Sequence, residues 1–163
     1  PDAEQGANAL ASRFMAEKKS ISTDPRHDFT RKLQALESYA LEAAEQAYAP
    51  YSGFRVGAAL WLEDGTVVTG ANVENVSYGL TICAERSALV RAVAEFGPQI
   101  RVRAVAVANL NEAASPPCGA CRQVLAEFIH GDATVVFPAA DGTRWMAFSE
   151  LMPLAGEMKL DKK

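Results

Sequence analysis

The sequence predicts an α/β fold, a three-layer α/β/α sandwich with a mixed sheet of about five strands. Three observations predict it. Segments of helical period and short β-favouring runs follow one another in the order helix, two strands, helix, strand, helix, two strands, which builds a mixed sheet between helices. The 163 residues (17.4 kDa) are the size of one domain, with no internal repeat or linker to divide them. The composition, 49% apolar with 22% charged and 8% aromatic, closes a core without staples and excludes disorder of the whole chain.

Residues 1–28 mix Ala, Ser, Lys and Asp around Pro25 and read as an N-terminal extension. The single domain is expected over 29–158, followed by a charged tail over 159–163. From Phe29, apolar Leu33, Leu36, Tyr39, Ala40, Ala43, Ala44 and Ala47 recur at helical spacing until Pro50 stops the pattern. Phe54 to Leu62 and Thr66 to Asn72 favour strand and flank an Asp64-Gly65 turn signal, so they predict a hairpin. Val73 to Thr81 lacks strong periodicity. A second helix follows from Ala84 to Glu95, closed by Gly97-Pro98. The near-continuous apolar run Val102 to Ala108 is a buried strand, and residues 109–117 are a loop. Pro117 stands just ahead of a third helix, Cys118 to His130. Thr134 to Phe137 and Thr143 to Phe148, joined by Asp141-Gly142, complete the sheet.

Sixteen basic against 20 acidic residues give a net charge of −4 and a pI near 5.2, which argues against a protein whose work is neutralising nucleic-acid phosphates. A small, uncharged partner fits better. No stretch reaches the roughly 18 consecutive apolar residues of a bilayer span, and Pro1-Asp2-Ala3-Glu4 lacks a secretory pattern, so a cytoplasmic location is expected. Three cysteines cannot all pair, and the C-x-x-C spacing of two of them in a reducing compartment points to metal.

Cys83-Ala84-Glu85 and Pro117-Cys118-Gly119-Ala120-Cys121 together use every cysteine. On a helix, Cys118 and Cys121 share a face, and Cys83 supplies a third sulfur. Both motifs fall at expected helix N-termini, where the dipole favours the thiolate. Soft sulfur ligands select zinc, with Fe–S and copper the other metals such ligands accept. His130, nine residues past Cys121 and roughly 13 Å along a helix at 1.5 Å per residue, is no natural fourth ligand. His27 lies in the extension. Three protein ligands leave one position open, as in a catalytic zinc carrying water.

Zinc with three thiolates is formally −1, so nearby positive charge helps to keep a nucleophile at neutral pH. Arg86, next to Glu85, is the candidate to donate to the sulfurs, and its alternative is a surface arginine. Glu85, two residues from a ligand, can stand beside the open position as the general acid and base. Its alternative, a glutamate that only complements the helix dipole, lacks a capping-box mechanism, because Ile82 occupies the place of the required Ser or Thr.

These residues resemble the small, three-cysteine zinc-dependent cytidine deaminases, over about Ala47 to Pro153. The resemblance is carried by Tyr48-Ala49-Pro50-Tyr51-Ser52-Gly53-Phe54-Arg55-Val56-Gly57-Ala58-Ala59, Gly70-Ala71-Asn72-Val73-Glu74-Asn75 with Ser77-Tyr78-Gly79, Cys83-Ala84-Glu85-Arg86, and Pro117-Cys118-Gly119-Ala120-Cys121-Arg122-Gln123. It implies a cytidine-deaminase-like fold and hydrolytic deamination of cytidine and deoxycytidine to uridine and deoxyuridine in pyrimidine salvage. Zinc hydroxide would attack C4, and Glu85 would carry protons to the leaving amine. It further implies that Phe54 lies against the base, that Asn72 and Glu74 bind ribose hydroxyls, and that Ala84 meets the polar edge of the base through its backbone. Phe54 reads equally as core. The i, i+2 spacing of Asn72 and Glu74 directs both side chains to one face. Tyr78 matches a tyrosine that reaches a neighbouring subunit's site, so the family pattern implies a homotetramer with shared active sites.

One position departs from that pattern. Where the family has a phenylalanine that closes a neighbour's base pocket, this chain has Gly156. Either Phe148 or Trp145 substitutes, or the pocket is wider and admits a modified cytidine or another aminopyrimidine nucleoside. A polynucleotide deaminase fits less well, since that class pairs a His-x-Glu motif with basic surfaces. A non-catalytic zinc-stabilised interaction domain would keep the cysteines without needing Glu85.

Overall fold

The computed structural model describes residues 25–154; Gly156, the expected tail over 159–163 and all of the expected extension before Pro25 lie outside them. The chain forms two compact units, Pro1–Lys32 and Leu33–Lys163. The described part of the first is the opening of helix α1 (Pro25–Ala44), where Asp28 accepts from Arg31 at 3.1 Å and pairs with Lys32 at 2.7 Å. Pro25 is the first helical residue. The first turn needs no N–H there, and the ring presets φ.

In the second unit α1 stops earlier than its apolar period, because the N–H groups of Glu45, Gln46 and Ala47 fold back onto Glu42, Ala43 and Ala44 in a tightened last turn. The hairpin forms from β1 (Val56–Leu62) and β2 (Val67–Ala71). Its turn uses Gly65 at φ 94°, and the Asp64 carboxylate accepts from Thr66 N–H at 2.9 Å. Helix α2 (Ala84–Phe96) ends at Gly97, whose φ of 85° only glycine adopts freely. β3 (Val102–Asn109), α3 (Gly119–Ala126), β4 (Ile129–Ala139), β5 (Gly142–Ala147) and the short α4 (Phe148–Leu151) follow.

The sheet order is β2-β1-β3-β4-β5, and only the β3–β4 neighbours run parallel. This is the expected mixed sheet of five strands.

Two glycines show how the helices flank it. Gly57 pairs with Ala71 and Gly70 with Ala58, so the two glycines point to opposite faces. A Cβ on Gly57 would collide with the backbone of Ala40 and Ala44 in α1. One on Gly70 would stand 2.8 Å from the Ala84 carbonyl oxygen and collide with the Ala88 nitrogen in α2. Each helix therefore approaches its face of the sheet to backbone contact, and α2 does so at the turn that carries Glu85. Behind it, Leu60, Val105 and Val135 from adjacent strands pack with Leu89 and Leu125 into one core. Each such side chain contributes about 1.5–3 kcal/mol by leaving water.

The third helix differs most from its expected span. Instead of running Cys118 to His130 it ends at Ala126, and His130 belongs to β4. The Phe128 carbonyl accepts from Val102 N–H at 2.9 Å, and Ile129 pairs with Val102. Pairing with β3 thus overrides a helical pattern that ran through β-favouring Phe128 and Ile129. The same pairing extends β4 well before Thr134. Two elements were not anticipated: a 3-10 turn at Tyr78–Leu80 and α4, where the Glu150 carboxylate caps the Ala147 N–H at 2.8 Å.

Candidate metal centre and active site

Cys83 is the N-cap of α2 and Cys118 the N-cap of α3. Both have extended backbone, with ψ of 155° and 164°, so each side chain stands at the open end of its helix among N–H groups that lack intrahelical partners. Cys118 is thus a cap and not a helical residue. Its sulfur accepts from Cys121 N–H at 3.5 Å, and Cys121 is wholly buried one turn in. The three sulfurs lie within 4.8 Å of one another, with Cys83 to Cys118 at 3.9 Å and Cys118 to Cys121 at 3.4 Å. Tetrahedral zinc with bonds of about 2.3 Å separates its sulfurs by about 3.8 Å, so the cluster fits that ion. Among the described residues no other group of ligating side chains converges in this way.

The electrostatics of the trio are uneven. Hydrogen bonding with Cys121 lowers the Cys83 thiol to about 5, and the Arg86 guanidinium adds to the effect against the cost of burial. The same bond with Cys83, together with burial, raises Cys121. Arg86 Nη2 donates to the Thr81 carbonyl at 3.0 Å and to Cys83 Sγ at 3.5 Å, while its buried Nε has no protein partner. Glu85 follows Cys83 by two residues and is 4% exposed. Burial raises its carboxyl above the ordinary range, the Cys83 charge adds, and the Cys121 thiol opposes. A carboxyl held in this way is suited to proton transfer. Ala84, between them, is fully buried.

The Asn72 to Glu74 segment is tied to this cluster through the backbone. Val73 and Ile82 exchange hydrogen bonds of 2.9 and 3.0 Å, one residue ahead of Cys83. Asn72 and Glu74 are 7% and 8% exposed, and both address the loop before β1. Asn72 Nδ2 donates to the Phe54 carbonyl at 2.9 Å, and its Oδ1 accepts from Val56 N–H at 2.8 Å. Glu74 accepts from the N–H groups of Tyr51 and Ser52 and from the Ser52 hydroxyl, and the hydroxyl bond chiefly lowers its pKa. Phe54 is half-buried beside them. Tyr78 is 75% exposed and stacks edge-on against Tyr51 at 6.4 Å.

Sequence reasoning missed several residues that hold these parts. Buried Asn109 satisfies its whole amide, donating to Ala113 O and Ser115 Oγ and accepting from the N–H groups of Asn111 and Ala113. Asn111 accepts from Arg55 N–H and donates to Gly53 O, which ties the loop before Cys118 to the loop carrying Phe54. Arg122 Nε donates to Pro117 O at 2.7 Å, and its Nη1 to Leu151 O at 3.1 Å. The Asn109-x-Asn111 spacing at the end of a buried strand was the available signal.

A mixed sheet between helices, with three thiols at two helix N-termini and a buried carboxyl in the same turn, defines a zinc-binding α/β domain of the deaminase class. Comparison with known proteins agrees. The family model described as the cytidine and deoxycytidylate deaminase zinc-binding region matches residues 30–138, and the chain belongs to that family. It is 49% identical to a cytidine deaminase of Halalkalibacterium halodurans over 121 residues, 74% of this chain and 90% of that protein. It is 53% identical to a cytidine deaminase of Mycobacterium tuberculosis over 96 residues, 59% of this chain and 69% of that one. The crystal structure of cytidine deaminase from Burkholderia pseudomallei superposes with a TM-score of 0.66 at 45% identity, covering 74% of this chain and 95% of that chain.

Proposed function

We propose that this protein hydrolyses cytidine and deoxycytidine to uridine and deoxyuridine with release of ammonia. The observation that carries the reading is the buried Glu85 carboxyl in the helical turn that begins with Cys83, beside a three-sulfur cluster of zinc dimensions. When bound, zinc supplies Lewis acidity at the position its three protein ligands leave open and so activates water as the nucleophile. Glu85 accepts one proton of the attacking water on a carboxylate oxygen and passes it to the ring nitrogen N3 of the base, then carries the second water proton to the departing amine, which leaves as ammonia. Arg86 offsets the thiolate charge at Cys83.

Cys83, Cys118 and Cys121 are the zinc ligands in this reading. Phe54 lies against the base, the Ala84 backbone meets its polar edge, and Asn72 and Glu74 take the sugar. Burial of Asn72 and Glu74 on a segment bridged to Ile82 supports that assignment. The net charge of −4 favours the neutral nucleoside over CMP. Assembly as a homotetramer with shared active sites is part of the same reading, supported by exposed Tyr51, Val76, Tyr78, Leu80 and Ile82 around the site. No described helix is long and apolar enough to cross a membrane. A cytoplasmic setting and a role in pyrimidine salvage belong to the same reading, supported by three converging thiols of the kind that hold metal in a reducing compartment.

The test is direct. Purified protein mixed with cytidine should lose the cytidine absorbance while releasing one ammonia per uridine, with CMP turned over far more slowly. No uridine and no ammonia would refute the reading, and equal turnover of CMP would refute the free-nucleoside part.

A further inference from the structure

We infer that Ser52 is a positioning residue: its hydroxyl couples the backbone of Phe54 to the carboxylate of Glu74 and thereby sets the sugar side of the site. This inference rests on the nucleoside-deaminase reading. Three observations carry it. The Ser52 hydroxyl donates to Glu74 Oε1 and at the same time accepts from Phe54 N–H at 2.9 Å. Gly53, at φ 68°, makes the turn that brings the Phe54 N–H back over that hydroxyl, a conformation few other residues would adopt. The other Glu74 oxygen, Oε2, is already taken by the N–H groups of Tyr51 at 2.9 Å and Ser52 at 3.2 Å.

A carboxylate has about four acceptor positions. Three are filled by Tyr51 and Ser52, and the one left is on Oε1, the oxygen whose orientation the Ser52 hydroxyl fixes. Glu74 therefore presents a single, directed acceptor to a sugar hydroxyl. Without the Ser52 hydroxyl, Oε1 has two free acceptor positions and Phe54 loses the partner of its N–H. The consequence falls on binding and not on the proton transfers at Glu85, which stands on a different element with its own supports.

The experiment is a double-mutant cycle in cytidine deamination, with zinc content measured on every sample. Ser52→Ala should raise KM roughly tenfold, the low end for a hydrogen bond to a charged group, with kcat within about twofold of the parent and zinc unchanged. Ser52→Thr, which keeps the hydroxyl, should restore KM. On a Glu74→Gln background, Ser52→Ala should add less than about twofold, because its effect passes through the carboxylate. An unchanged KM in Ser52→Ala overturns the inference, and so does an equal KM penalty with and without Glu74. A parallel loss of kcat and zinc, or a Ser52→Thr protein as impaired as Ser52→Ala, also overturns it. Parent protein that fails to deaminate cytidine overturns the functional reading itself, which separates the two failures.

Discussion

The thiol cluster and the loop ahead of β1, which we propose faces the sugar, are built in opposite ways. Cys83 and Cys118 need only begin a helix to present their sulfurs, and Cys121 needs only to lie one turn on, so the cluster is assembled from two short motifs at helix N-termini. The loop of residues 51–55 has one local side-chain bond, from Phe54 N–H to the Ser52 hydroxyl, and its other side-chain supports come from afar. It is held by Glu74 and Asn72 from about 20 residues away and by Asn111 from more than 50, each using side-chain groups on backbone N–H and C=O. The lesson is that the thiol cluster is a property of element ends, whereas the loop ahead of β1 is a property of long-range hydrogen bonds.

That contrast can be broken by substitution, and the largest effect should come from the cluster. Cys118→Ala removes a ligand and the cap of α3 together. It should abolish zinc retention and turnover, and metal analysis with a cytidine assay would show it. Full zinc in that variant would break the account of the cluster. Next, Arg86→Ala should weaken zinc binding roughly 10- to 100-fold, the usual scale for a group that supports a ligand, read by chelator competition. Unchanged affinity would mean that the 3.5 Å approach to Cys83 carries no weight.

Smaller effects sharpen the comparison from the scaffold side. Gly70→Ala places a methyl group against the backbone of Ala84 and Ala88 and should cost about 1–3 kcal/mol in denaturant unfolding, with loss of turnover because α2 carries Glu85. Gly119→Ala is its control. It lies inside the cysteine motif, but nothing stands within 4 Å of a Cβ there, so stability should change little. Asn111→Ala should have the mildest consequence, about 0.5–1.5 kcal/mol in stability and a raised KM with zinc retained.

How far the sequence could be read follows from the same division. Three cysteines in two motifs, Glu85 in the first turn and the alternation of elements are local patterns, and the five-stranded sheet, α2 and the hairpin came from them. The end of α3 could not be read, because whether Phe128 and Ile129 continue a helix is decided by Val102 across the sheet. The two-sided approach of helices at Gly57 and Gly70 was equally hidden, since it depends on strand register. Asn72 and Glu74 were singled out by resemblance alone. Ser52 reaches the distant Glu74 carboxylate, and Asn111 reaches the distant backbone of Gly53 and Arg55, and single-residue patterns record neither link.

The central claim is that Glu85 does the proton work at an intact zinc centre. Glu85→Gln keeps the size of the side chain and removes its capacity to accept a proton, so zinc content and cytidine turnover measured on one preparation test the claim directly. The account predicts one zinc per chain and a turnover lowered at least roughly 100-fold, the low end for a positioned proton-transfer group. Near-normal turnover with full zinc would contradict it and transfer the proton chemistry to another group.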